Sequence, residues 1–210
     1  FAPAWNYGVV GGRRFGLPFN TSTPVLFYNL DVFRAKGLEA PRDWRAFERT
    51  ALALTSRAAK GFIFVTDPQA WLFEAMVTSR GGSLVQDDRP NFTSREAVAA
   101  LEMLYRLKEA GALSVRSMAE ATFAQLDFVR TKGMMVMASI ANWPAAENFS
   151  FALALGVAPV PREEGGKVPM GGAQLVVLKG ASEAQARGRW PSGSTSWSRR
   201  TWPAGWRRAT

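Results

Sequence analysis

The chain has 210 residues, 47% of them hydrophobic, enough for one domain or part of a two-lobed protein with its own core. It contains no cysteine and no histidine, which removes disulfides, thiolate and imidazole metal sites, a cysteine nucleophile and a Ser-His-Asp triad. The formal charge of +9 is lopsided: Arg189, Arg199, Arg200, Arg207 and Arg208 fall in an acid-free stretch at the end, and without these five the charge is +4.

No apolar run approaches the ~20 residues of a membrane span. The first five residues lack the charged start and apolar run of a signal peptide, so export is not legible there. Residues 15–29 alternate apolar and polar around Pro18 and Pro24, predicting two short strands joined by a turn-like crossing at residues 20–24. Residues 31–36 before Gly37 read as a short helix with a glycine stop. Asp43 is placed to cap a helix from Trp44 to about Arg57, and residues 62–65 read as a buried strand. Asp67-Pro68 opens a further helix through Trp71, Ala75 and Met76 to Gly81.

Thr93 with Glu96 predicts a capping box for a helix whose core face is Val98, Leu101, Leu104 and Tyr105, ended by Gly111. A second box, Ser117 with Glu120, starts a helix carrying Phe123, Leu126 and Phe128. Residues 134–140 are apolar enough to be buried on both faces, and residues 156–160 and 171–178 read as further strands. Ser182 with Gln185 reads as the capped start of one more helix. This alternation predicts an α/β fold.

Residues 188–210 also hold Trp190, Trp197, Trp202 and Trp206, half of the eight tryptophans, with no Leu, Ile, Val, Phe or Met to build a core. Cations and stacking rings suit single-stranded nucleic acid or an anionic surface, whereas GC-rich codons read out of frame give the same mixture of Arg, Trp, Gly, Ser and Pro. The missing periodicity favours the frameshift reading, so no nucleic-acid partner is expected.

Ligands in open α/β sheets sit beyond the carboxyl ends of strands and at crossings between domains. Three places qualify. Asn20, Thr21, Ser22 and Thr23 lie between proline-bracketed strands, where hydroxyls and N–H groups can receive an anion or form a plain polar turn. Ser139, Asn142 and Trp143 follow an apolar strand and bring together a hydroxyl, an amide and an indole. Gly171-Gly172-Ala173 starts a strand where a ligand can approach the backbone, or simply makes a turn. Trp44, at a helix start, can stack on a ligand's carbon face or pack in the core. Asp87-Asp88 and Glu163-Glu164 read as polar loops, and no phosphate-loop or dinucleotide-loop spacing occurs. These residues point to binding, with no catalytic residue, metal or cofactor.

The run GLPFNTSTPVLFYNLDVFRAKGLEAPRDWRAF resembles the segment of family 1 extracellular solute-binding proteins of ABC importers in which a strand enters the second lobe, followed by a helix and turn. Its PFN and STPVL-FYN elements are similar to the sn-glycerol-3-phosphate-binding branch, and FVRTKGMMVMAS and MGGAQLVVL follow in the family's order. The resemblance covers about residues 1–187 and implies a periplasmic-binding-protein-like (type II) fold, mostly one lobe of a two-lobed clamshell. Residues 1–22 are then a remnant of the first lobe and a crossing strand, 23–158 the second lobe, 159–187 a return segment, and 188–210 the aberrant tail.

The resemblance further implies that Ser22 and Ser139 donate hydroxyls to a ligand phosphate, Gly172 a backbone N–H beside them, and Trp44 a surface for the glycerol end. Asn20, Thr23, Asn142 and Trp143 lie near the same cleft. The implied ligand is a small phosphorylated polyol or, in a variant of the same fold, a sugar or oligosaccharide; the implied partners are the membrane subunits of an ABC permease. A periplasmic or surface-anchored location is expected. The family's remaining ligand contacts fall outside the matched stretch, so the chain is expected to be truncated at both ends and to bind weakly.

Overall fold

The most apolar runs of the sequence become the centre of one sheet. The computed structural model describes residues 5–66, 70–149, 153–176 and 180. Five strands, β4 (Pro24–Asn29), β5 (Lys60–Thr66), β8 (Leu113–Ser117), β9 (Gly133–Ser139) and β10 (Leu155–Pro159), form a mixed sheet in the order β10-β4-β9-β5-β8. β4 runs antiparallel to both its neighbours, while β5 is parallel to β8 and β9. Side chains alternate between the two faces: Leu26, Phe62, Phe64, Met135 and Met137 enter one core, Phe27, Ile63, Val65 and Val136 the other.

Helices cover both faces. α1 (Leu30–Ala35) is capped by Asn29, and α2 (Trp44–Leu54) by Asp43, whose carboxylate accepts from the Ala46 N–H at 2.7 Å. The predicted continuation of α2 to Arg57 fails because Thr55 turns extended and its hydroxyl donates back to the Ala51 carbonyl at 2.8 Å. Phe47 meets Phe62 edge-on, with ring centroids 4.8 Å apart. A Cβ on Gly61 would stand 1.9 Å from the Ala51 carbonyl oxygen, so only glycine lets α2 lie this close to β5.

α3 (Trp71–Thr78) is shorter than predicted, and its proposed Asp67-Pro68 start lies outside the described residues. Its last carbonyls are satisfied by the loop carrying Glu163 and Glu164: the Glu163 N–H donates to Ser79 and the Lys167 N–H to Thr78, both at 2.9 Å. Asp87 and Asp88, both at positive φ, turn the hairpin between β6 (Val85–Gln86) and β7 (Arg89–Pro90).

α4 (Arg95–Glu109) is capped one residue later than predicted, by Ser94 instead of Thr93. Its buried face also differs: of the predicted residues Leu104 packs against the core, but Leu101 and Tyr105 are 53% and 63% exposed, and Ala97, Ala100, Met103 and Leu107 are the buried ones. Alanine lets neighbouring α3 approach closely, which a stripe of larger side chains would prevent. The Ser117–Glu120 box forms as predicted, capping a 3-10 turn over Met118–Glu120 that leads into α5 (Ala121–Val129). α6 (Trp143–Phe149) follows β9 after a second 3-10 turn over Ile140–Asn142.

β3 (Gly16–Ser22) and β11 (Gly171–Val176) form a two-stranded sheet of their own. β3 runs on to Ser22, so the predicted turn at residues 20–24 shrinks to Thr23 alone. The chain divides into two compact units, and the division falls within both of these strands. The larger unit is Asn20–Ala173, and so takes in residues 159–173, which the sequence reading places in a return segment. The smaller joins Phe1–Phe19 to Gln174–Thr210; in it β1 (Val9–Val10) pairs antiparallel with β2 (Arg13–Arg14), and the Arg14 guanidinium lies over the Trp5 ring at 4.2 Å. The predicted helix at Ser182 and Gln185 and the Arg/Trp tail lie outside the described residues. Among the described residues no helix is long and apolar enough to cross a membrane.

Candidate functional site

Within the larger unit, antiparallel pairing of β4 with β9 sets Pro24 opposite Ser139, so the start of one strand meets the end of the other. The Ile140 N–H closes this corner by donating to the Thr23 carbonyl at 2.9 Å. Ser22, the last residue of β3, is thereby brought within hydrogen-bonding distance of a residue 117 positions away: the Ser22 and Ser139 hydroxyls bond to each other. Ser139 also accepts from the Ala141 N–H at 3.1 Å, which fixes its oxygen at the head of the 3-10 turn.

β3 and β11 supply the neighbouring backbone. Asn20 accepts through Oδ1 from the Ala173 N–H at 2.8 Å, tying β3 to β11. Gly172 has φ of +142°, and a Cβ there would stand 2.2 Å from the Asn20 carbonyl oxygen, so this residue must be glycine. Beside it, Gly171 lies against Trp71, where an added Cβ would sit 3.2 Å from the ring. A cavity of about 320 Å³ opens below, with Trp71, Ser139 and Asn142 among its lining residues. Trp143 stacks on Phe27, ring centroids 6.4 Å apart, on the same side of the sheet. Two hydroxyls, glycine backbone and an indole face therefore share one corner, and no site residue named here carries a charge. Such a corner can hold an anion by neutral hydrogen-bond donors. It offers no nucleophile–base pair, and among the described residues no group of acidic side chains could hold a metal ion.

Residues 1–189 match the family model described as bacterial extracellular solute-binding protein. The chain belongs to that family. The sn-glycerol-3-phosphate-binding periplasmic protein UgpB of Pectobacterium atrosepticum is 25% identical over 197 residues, covering 84% of this chain and 43% of its own length. The Escherichia coli K12 protein of the same name is 29% identical over 114 residues, covering 49% of this chain and 26% of its own. The chain thus spans less than half the length of these relatives. Among solved structures, Mycobacterium tuberculosis UgpB in complex with glycerophosphocholine superposes with a TM-score of 0.76 at 20% identity, covering 87% of this chain and 49% of that one. The Streptomyces glaucescens GacH receptor, solved unliganded and with acarbose, gives a TM-score of 0.73 at 23% identity, covering 89% and 50%. The fold is that of the periplasmic binding proteins.

Placed on this solute-binding fold, most of the sequence-predicted residues converge. Ser22, Thr23, Ser139, Asn142 and Trp143 lie around the β4–β9 corner, and Asn20 and Gly172 meet on the crossing strands. Trp44 does not join them: it is 3% exposed, inside the core, and its indole N–H donates to Ser79 Oγ at 3.0 Å. The expectation of a ligand-facing Trp44 gives way to core packing, reinforced by Arg80, whose guanidinium lies 4.1 Å from the Trp44 ring centroid. Burial pulls that guanidinium down to about 10, opposed by the nearby Glu163. Besides Trp143, the corner has a second indole, Trp71, which in the sequence shows only as a helix residue. Its spacing with Ala75 fits a core stripe, and only its pairing in space with Gly171 distinguishes it.

Proposed function

We propose that this chain forms one ligand-contacting wall of an extracytoplasmic solute-binding protein that hands a small phosphorylated polyol, glycerol 3-phosphate or a glycerophosphodiester, to an ABC permease. The Ser22–Ser139 hydroxyl pair carries this reading. The two hydroxyls share one hydrogen bond; facing a phosphate, each has one proton to donate to a separate oxygen. Ser22, Ser139 and the Gly172 backbone supply neutral donors, and Trp71, in place of Trp44, gives the carbon skeleton a flat surface. Asn20 holds the crossing strands that carry these donors. The names of the curated relatives support the phosphate and the periplasmic location. The protein acts by binding and not by turnover.

A sugar ligand on the same fold is the second reading, favoured by the two indoles, Trp71 and Trp143, near the corner, since aromatic faces suit sugar rings. Calorimetric titration of the chain with sn-glycerol 3-phosphate, glycerophosphocholine and maltose separates the two. The phosphate ligands are expected to bind, with affinity falling about ten- to a hundredfold in the Ser22→Ala, Ser139→Ala double variant. Binding of maltose alone would reverse the assignment.

A further inference from the structure

The cavity beside the hydroxyl pair is built for a different chemistry from the pair itself. Phe27, Trp71, Met118, Phe128 and Val136 line it together with Ser139, and it lies between α5 and the sheet. Its polar lining residues are Gln125, Ser139 and Asn142, none of them charged, so an ionic group placed inside would meet no counter-charge and a multiply hydroxylated one few partners to replace its hydration. Ser139 belongs both to this cavity and to the pair with Ser22, so the apolar chamber adjoins the place where the pair would hold a phosphate.

We infer that the site accepts phosphate esters bearing an apolar substituent, with the phosphate on Ser22 and Ser139 and the substituent in this chamber. The inference rests on the phosphate reading above and narrows it. An apolar cavity of ~150 Å³ takes one benzene ring. A chamber of about 320 Å³ therefore accommodates a phenyl group or an alkyl chain of several carbons. The glycerol end of glycerol 3-phosphate, with two hydroxyls to desolvate, gains less there than an apolar substituent does. A preference for substituted esters follows, read from the chamber's lining and its junction with Ser139.

The test is calorimetric titration of the chain with methyl, butyl, hexyl and phenyl phosphate, which carry the same anionic group, alongside glycerol 3-phosphate. Affinity is expected to rise up to about fourfold for each buried methylene from methyl to hexyl. Ala121→Leu, which adds bulk at a half-buried lining position at the start of α5, is expected to flatten the series while leaving glycerol 3-phosphate binding unchanged. The series on the unaltered chain decides the matter even if that variant does not fold. A flat series, with glycerol 3-phosphate still bound and still dependent on Ser22 and Ser139, overturns the apolar subsite and leaves the phosphate reading standing. A rising series that ignores the Ser22→Ala, Ser139→Ala change overturns the phosphate reading, and the coupled site with it. Absence of binding by every ester overturns both.

Discussion

The Trp44 indole N–H donates to Ser79 Oγ inside the core, and both residues are almost wholly buried. Ser79 in turn donates to the Met76 carbonyl at the end of α3. The pair thus fastens the start of α2 to the end of α3, which makes Trp44 a structural residue. Trp44→Phe removes the donor and leaves the Ser79 oxygen with no hydrogen bond to accept, a loss of about 1–3 kcal/mol. Urea unfolding is expected to show that loss while ligand affinity stays unchanged. An affinity defect in a folded Trp44→Phe protein would return Trp44 to the site.

Ser22 and Ser139 share one hydrogen bond but not one structural role. Only Ser139 also accepts the Ala141 N–H, heading the turn that leads into α6. Ser22→Ala is therefore expected to weaken phosphate binding by about tenfold with unfolding midpoints close to the parent's. Ser139→Ala is expected to weaken binding similarly and also to destabilise by about 1 kcal/mol through loss of the cap. Equal stability losses in the two variants would mean that the cap contributes nothing.

Much of the sheet was legible because burial on both faces leaves an unmistakable run, as at residues 134–140, and because Asp43 and Ser117 stand where helix caps are needed. The face of α4 was not. Val98, Leu101 and Tyr105 are spaced like a core stripe, but so are Ala97, Ala100, Met103 and Leu107, and hydrophobicity alone favours the wrong one. What decides is how near α3 comes, a tertiary quantity that small residues permit and no local pattern states. The site divides in the same way. Polar residues at strand ends are visible in sequence, whereas choosing between Trp44 and Trp71 requires knowing which indole is buried in the core and which lines the cavity beside Gly171.

Gly172 and Gly171 are adjacent and differ in what they tolerate. Gly172 combines φ of +142° with a Cβ position 2.2 Å from backbone, so Gly172→Ala must move β3 or β11. A loss of about 1–3 kcal/mol is expected. Because the Ala173 N–H to Asn20 bond is next in the chain, its amide should exchange faster with deuterium. Gly171→Ala meets only the Trp71 ring, at 3.2 Å, so it should cost less and act on affinity through the ring. Equal effects on stability would show that the close backbone approach at Gly172 is not limiting.

Glu120 provides a pH dependence confined to one cap. The Ser117 N–H and hydroxyl both donate to its carboxylate, at 3.0 and 2.8 Å, and Arg116 faces it at 3.6 Å. Backbone and hydroxyl donation, the larger causes, and then Arg116 hold its carboxyl below the ordinary value of 4.5. A carboxyl depressed in the folded state contributes stability above its unfolded value, and that contribution is lost as pH falls through the folded one. Arg116, held above its ordinary range by Asp127, keeps its charge throughout, so Glu120 is the member of this pair that titrates in acid. Glu120→Gln retains an acceptor for the cap but not the charge. The stability gap between parent and variant is therefore expected to be greatest near neutral pH and to shrink on acidification below 4.5, as read from urea midpoints across the series. A gap that stays constant through that range would assign the cap's contribution to hydrogen bonding alone, with no part for the charge.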